Sequence, residues 1–324
     1  MESYTHIQTI SDSGSQDKTI VTRIHDSVGN VIPNTYTWSN VIIKDGKALV
    51  DFEYFKKLMC EQLGYGSTIS YNSILKIEIA RQRWQLDSTQ VQCLRKLINI
   101  TANNSSLNKG TTLFAFEGAD NVTNAWNTYH PYGEFNAMLV VVKDGEITYI
   151  TKNGSTLPSF PEGNRDNVNG HAVLREGIYD IEATTHKVYS AMKVNNSGTS
   201  DGMKIPVYRY GKEYKNADGV DIHAAGYKEK VHYSTGCITI AMSDYIEFGK
   251  QVGFIAEELN LTWNGTDEYS DFTNKIGTKY TRSFSGKFVF DRSVLRANLA
   301  RDRGTARVSE DMYNNCMKYY FGVS

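Results

Sequence analysis

One cysteine in this chain stands in unusual company. Cys237 lies in "STGCITI", directly after Ser234, Thr235 and Gly236 and fourteen positions after His223. The thiolate is the nucleophilic form of cysteine, and at an ordinary pKa of about 8.5 a thiol is only a few per cent ionised at neutral pH. Chemistry at Cys237 therefore asks for a base within hydrogen-bond reach. His223 meets that need if its strand runs beside the one that Cys237 opens, and fourteen residues suffice for a strand, a loop and a return. Gly236 lets the backbone approach a substrate closely, and the N–H groups of 236 and 237 can point at a developing oxyanion. Ser234 or Thr235 can hold the turn or donate to the carbonyl under attack.

The other candidates read more plainly. Cys60, Cys93 and Cys316 have no CxxC spacing, which argues against a zinc ribbon or a disulfide framework. Cys60 and Cys93 sit in apolar, helix-like contexts and read as small core residues, whereas the polar-aromatic "MYNNCMKYY" around Cys316 leaves room for an exposed thiol. His232 is a second base candidate or an exposed loop residue. His130, His171 and His186 read as satisfied or exposed side chains, and no metal set emerges from them.

The elements that must position this pair follow from periodicity. Residues 1–47 are polar and read as an N-terminal arm, with "VTRIHDSVGNVIPNTYTW" as a loose hairpin. From 48 to 100, "LVDFEYFKKLMCEQLGYG", "YNSILKIEIARQRW" and "DSTQVQCLRKLINI" carry apolar residues at helical spacing. Asp51, Asn72 or Ser73, and Asp87 or Ser88 stand where N-caps belong, so this stretch is expected to be a helical module of unknown role. "TANNSSLNKG" (101–110) is the linker candidate. Beyond it the period turns to two: "TTLFAFEG", "FNAMLVVVKDGEITYITKNG", "GIYDIEATT", "VDIHAAG", "CITIAM" and "GKFVFDRSVL" read as strands. Asp144-Gly145 suits a type I′ hairpin turn, and Ser243 is expected to cap a helix over "DYIEFGKQVGFIAEEL". The chain therefore reads as α+β, a small helical N-terminal region followed by a β-rich domain over 111–296, then a helical tail over 297–324.

Composition narrows the classes. In 324 residues, 35 basic and 36 acidic side chains nearly cancel, which gives no electrostatic footprint for nucleic acid or an anionic membrane. The longest apolar runs, such as "AMLVVV", are too short to span a bilayer. "MESYTHIQTISDSGSQD" has neither a basic start nor an apolar core, so the expectation is a chain made as a soluble cytoplasmic protein without a signal peptide.

The stretch "IHAAG…STGCITI" resembles the signature of the L,D-transpeptidase catalytic domain (YkuD type), in which a histidine segment precedes Ser-His-Gly-Cys-Ile/Val-Arg. "FNAMLVVVKDGEITYITKNG" is similar to that family's early hairpin, and "HAVLREGIYDIEATT" to its Gly-x-Tyr segment, so the likeness covers roughly 110–296. The resemblance implies an L,D-transpeptidase-like fold, Cys237 as the acylated nucleophile and His223 as the base. It also implies an orienting main-chain carbonyl on Ala224, Ser234 at the first motif position, and oxyanion N–H groups on Gly236 and Cys237. Two positions depart from the pattern: Thr235 replaces a histidine, and Thr239 replaces an arginine whose bidentate grip on a substrate carboxylate threonine does not reproduce. Arg209 is the candidate to compensate. The implied substrate is a peptidoglycan stem peptide, which lies outside the cytoplasm. The expectation is therefore delivery to the periplasm or wall by a non-Sec route, as in phage-type wall enzymes or antibacterial effectors, with a cognate immunity or delivery protein as partner. The rival expectation is a non-catalytic domain that binds wall peptides or another protein.

Overall fold

The computed structural model describes residues 77, 81, 85–119, 135, 137–158, 170–196, 204–217, 219–225, 234–306 and 308–323, and the backbones of the strands between 5 and 49. It divides into two compact units, Met1–Ala102 and Asn103–Ser324. Both helices and strands are present, so the chain is α+β.

In the first unit, β1 (Thr5–Ser11), β2 (Lys18–His25) and β3 (Val31–Trp38) form an antiparallel three-stranded sheet, and β4 (Ile42–Lys44) pairs with β5 (Lys47–Leu49). The two helices expected over 52–63 and 72–84 lie almost wholly outside the described residues. The third is α1 (Ser88–Ala102), entered through a reciprocal cap. Gln90 N–H donates to Asp87 Oδ1 at 2.8 Å, and Asp87 N–H donates to Gln90 Oε1 at 3.0 Å. Two of the amides left over at a helix start are thus satisfied. Cys93, Leu94 and Leu97 form part of its buried face.

The second unit is built on a closed eight-stranded barrel. Its strands are β6 (Thr111–Glu117), β7 (Ala137–Lys143), β8 (Glu146–Ser155), β10 (Gly177–His186), β11 (Tyr189–Asn195), β14 (Asp221–Ala224), β15 (Ile238–Ile240) and β16 (Ser285–Asp291). Around the barrel the order is β10-β11-β14-β15-β8-β7-β6-β16, and β16 closes back on β10. The β14/β15 and β16/β6 pairs are parallel and the others antiparallel. A side sheet runs β13 (Lys212–Ala217), β12 (Ile205–Arg209), β9 (Val173–Leu174).

Local chemistry explains several of these elements. Asp144 and Gly145, at φ of 48° and 81°, turn β7 into β8 in the left-handed conformation a two-residue type I′ loop requires. All of residues 137–142 are buried, so the run "AMLVVV" is a strand covered on both faces rather than an alternating one. Alternate residues of the barrel meet in one cluster that includes Leu113, Leu139, Ile181, Met192, Ile222 and Ile238.

The helices correct three expectations. α2 (Met242–Val252) is entered from Ala241 without a side-chain cap, and Ser243 lies inside its first turn. Asp244 accepts instead from Asn153 Nδ2 at 3.0 Å and from Thr151 Oγ1, which ties the helix start to β8. The helix stops at Val252 rather than running to Leu259, because Gly253 at φ 110° takes the left-handed C-terminal position. After α3 (Tyr269–Ile276), the final segment is two helices, α4 (Ser293–Gly304) and α5 (Glu310–Phe321). Leu295, Leu299, Val308, Cys316 and Phe321 pack with Leu157 and Val173, so this segment belongs to the second unit's core and Cys316 is buried, not exposed. Among the described residues no helix is long and apolar enough to cross a membrane.

Candidate active site

β14 and β15 run parallel, with Ile222 opposite Ile238 and His223 opposite Thr239. Side chains alternate along a strand, so Ile222, Ala224, Ile238 and Ile240 turn to the core cluster. Asp221, His223 and Thr239 alternate to the opposite face, and Cys237 stands directly before β15. The sulfur sits against the entry to β14: Asp221 N–H donates to Cys237 Sγ at 3.5 Å, and the thiol reaches the Gly219 carbonyl at 3.6 Å.

His223 is buried, and its Nδ1 lies 2.7 Å from the carbonyl oxygen of Ala224. A carbonyl only accepts, so Nδ1 carries the proton and the neutral ring keeps its lone pair on Nε2. That is the tautomer a general base uses. The role falls to main chain, which is why an alanine at 224 suffices.

The turn before the cysteine is braced from several sides. Ser234 Oγ accepts from Gly236 N–H at 3.1 Å and donates to the Cys237 carbonyl at 2.8 Å. The Gly236 N–H is therefore engaged, and to serve an oxyanion it must exchange that partner. Gly236 has φ of 140°, and a Cβ there would lie 2.8 Å from both the Cβ and the carbonyl oxygen of Ala172. Ala172 N–H in turn donates to the Thr235 carbonyl at 3.2 Å, and Arg209 Nη1 donates to the Gly170 carbonyl at 2.6 Å. Arg209 thus braces the 170–172 segment on which the cysteine turn rests. Thr235 is partly exposed beside the cysteine, while Thr239 is fully buried and its hydroxyl finds no hydrogen-bond partner among the described residues. His232 lies outside the described residues.

Spacing along the chain gave no sign of what surrounds the pair. His186, at the end of β10, stacks on His223 with ring centroids 4.2 Å apart and planes 13° from parallel. Its Nδ1 donates to Asp221 Oδ2 at 2.8 Å. On the neighbouring strand Tyr189 meets His186 edge-on at 5.8 Å, and its hydroxyl lies 2.6 Å from that of Tyr269 on α3. The order β10-β11-β14 brings these together, and no sequence motif spans it. The signal that was available is Asp221 itself, a carboxylate two residues before the base on the same strand face.

The electrostatics follow from this packing. Cys237 keeps part of its surface exposed, yet burial around its sulfur pushes the thiol pKa up to about 12. The Asp221 N–H pulls it down, and the Asp221 carboxylate adds to the rise. The resting sulfur is therefore a protonated thiol, and a nucleophile forms there only as a base removes the proton. Burial also raises Tyr189 and Tyr269, to which the nearby Cys237 contributes. Among the described residues no group of three His, Cys, Asp or Glu side chains is arranged to hold a metal ion. Comparison of the chain with family models, with curated proteins and with solved structures returns no match.

Proposed function

We propose that the second unit is an L,D-transpeptidase-like domain that carries out cysteine-dependent acyl transfer on peptidoglycan stem peptides. One observation supports the reading: β14 and β15 run parallel with His223 opposite Thr239, Nδ1 of the base is held by the Ala224 carbonyl, and the sulfur of Cys237, directly before β15, takes the N–H of Asp221, two residues before the base. Nε2 of His223 takes the thiol proton as Sγ bonds to the carbonyl carbon of an L,D peptide bond. The carbonyl π electrons move to oxygen, where the Cys237 N–H, and Gly236 N–H once released by Ser234, can meet them. Collapse breaks the C–N bond, the leaving D-amino acid's amine takes its proton from the His223 imidazolium, and a thioester remains. An acceptor amine then gives a cross-link or an exchanged D-amino acid, and water gives carboxypeptidase activity. Each deacylation returns the proton to sulfur, and the cycle needs no cofactor.

The chain is read further as an exported wall-modifying protein of phage or antibacterial type, with a cognate immunity or delivery protein as partner, because its substrate lies outside the cytoplasm. A second reading has its own support. Thr235 and Thr239 replace the family's histidine and arginine, and burial holds the thiol proton firmly. Those features suit a domain that binds wall peptides without reacting.

Incubation of the protein with muropeptides, followed by mass spectrometry, separates the two. Acyl transfer predicts loss of a D-amino acid from the donor and a new cross-linked or shortened product, absent with Cys237→Ala. His223→Ala should lower the rate by a factor of about 100 or more. Unchanged muropeptides that nonetheless bind the wild-type protein establish the binder and end the enzymatic reading.

A further inference from the structure

Asp221 acts on the sulfur in two opposite senses. Its backbone N–H donates to Cys237 Sγ at 3.5 Å, which favours the thiolate. Its carboxylate, carried by the residue that supplies that N–H, is a negative charge beside the same sulfur and disfavours the thiolate. A half-buried carboxylate next to a nucleophilic thiol is a poor arrangement unless something offsets it. His186 does so: Nδ1 donates to Asp221 Oδ2 at 2.8 Å, and the ring lies flat on the base at 4.2 Å.

We propose that His186 is a positioning residue for the cysteine site: it ties up the Asp221 carboxylate, so that Asp221 supports the thiolate through its N–H, and it sets the plane of the His223 ring by stacking on it. The proposal rests on the reading of Cys237 as a nucleophile and His223 as its base. It adds a second histidine and a carboxylate to that pair, from a strand not adjacent to β14. Among the described residues, the other ionisable groups near the dyad are Lys193, opposite Asp221 across β11 and β14, the Tyr189–Tyr269 hydroxyl pair, and Tyr245 on α2. All four stay in place in the variants below, so they form a constant background.

The readout is the rate constant for alkylation of Cys237 by iodoacetamide, resolved from the other cysteines by peptide mass spectrometry, from about pH 7 to about pH 10. His186→Phe keeps a ring to stack on His223 and removes the partner of Asp221, so it should slow alkylation about fivefold and shift the profile to higher pH. Asp221→Asn should raise the rate, because the N–H stays and the charge goes. With Asp221→Asn in place, adding His186→Phe should change nothing further. An equal loss from His186→Phe in both backgrounds, or none in either, overturns the proposal, since simple packing would not depend on the carboxylate. Asp221→Asn alone keeps the test decisive if the His186 variant folds poorly: a slower rate refutes the opposing charge. Muropeptide turnover is scored separately. No turnover with the Asp221-dependent loss intact sinks acyl transfer and leaves the dyad standing; turnover without that dependence does the reverse.

Discussion

At the scale of single residues, the site is held by positions whose alternatives are costly. Gly236 has two independent reasons to be glycine: φ of 140° and a Cβ position 2.8 Å from Ala172. Gly236→Ala should therefore lower stability by about 1–3 kcal/mol, read as a shift in denaturant midpoint. Ala172→Gly should restore only part of that loss, because it removes the Cβ contact and leaves both the carbonyl contact and the backbone strain; full restoration would show that these two are immaterial. Thr239 predicts the opposite sign. Its hydroxyl is buried without a partner among the described residues, so it bears a desolvation cost that no hydrogen bond offsets. Thr239→Val keeps the shape and should be neutral or stabilise by about 1 kcal/mol. A clear loss of stability would mean that the hydroxyl is hydrogen-bonded after all. If instead stability rises while the reactivity of Cys237 falls, the hydroxyl serves the site rather than the fold.

At the scale of elements, one buried ion pair joins pieces that are far apart in sequence. Arg292, at the entry to α4, and Glu117, at the end of β6, are both fully buried and paired through Nε. The same guanidinium reaches the Leu174 carbonyl on β9 through Nη1 and lies over the Phe290 ring at 4.4 Å, while Thr156 donates to the other Glu117 oxygen at 3.0 Å. Removing one partner strands a buried charge, so Glu117→Gln or Arg292→Met should each cost about 3–5 kcal/mol, measured by chemical denaturation. The double variant should cost less than the two separate losses combined. None of this was legible from spacing, since the pair links positions 117 and 292 through a parallel β6/β16 contact. Local features were legible: the Asp144-Gly145 turn, the Asp87 cap and the strand over the 111–117 segment rest on chemistry within a few residues. Barrel closure was not, because an alternating strand does not state its neighbours. The role of His186 was not legible either, for the same reason: it depends on β11 lying between β10 and β14. The expected extension of α2 to Leu259 failed at one residue, Gly253, whose left-handed φ outweighed the apolar periodicity beyond it.

At the scale of the whole second unit, several protonated groups are buried together, and that sets a pH dependence. Burial raises the thiols of Cys237 and Cys316 to about 12, raises the Tyr179 hydroxyl to about 12, and holds Tyr189 and Tyr245 well above the usual tyrosine range. In the unfolded chain a thiol ionises at about 8.5 and a tyrosine at about 10. Between those values and about pH 12 the folded state therefore holds protons that the unfolded state has released. Stability falls with rising pH wherever the native state binds more protons, so the curve should be flat in these groups below about pH 8 and descend progressively above it. Cys316 offers the cleanest probe, being buried in the α4/α5 cluster away from the candidate chemistry. Cys316→Ala should start about 1–2 kcal/mol less stable at neutral pH, through the small cavity it leaves. It should then lose less on going to about pH 10.5, because one of the protons that distinguishes the two states is gone. Denaturant melts of both proteins at each pH measure this directly. Parallel curves would mean that the Cys316 thiol ionises as readily folded as unfolded, which its packing against Leu295, Leu299 and Phe321 should not allow.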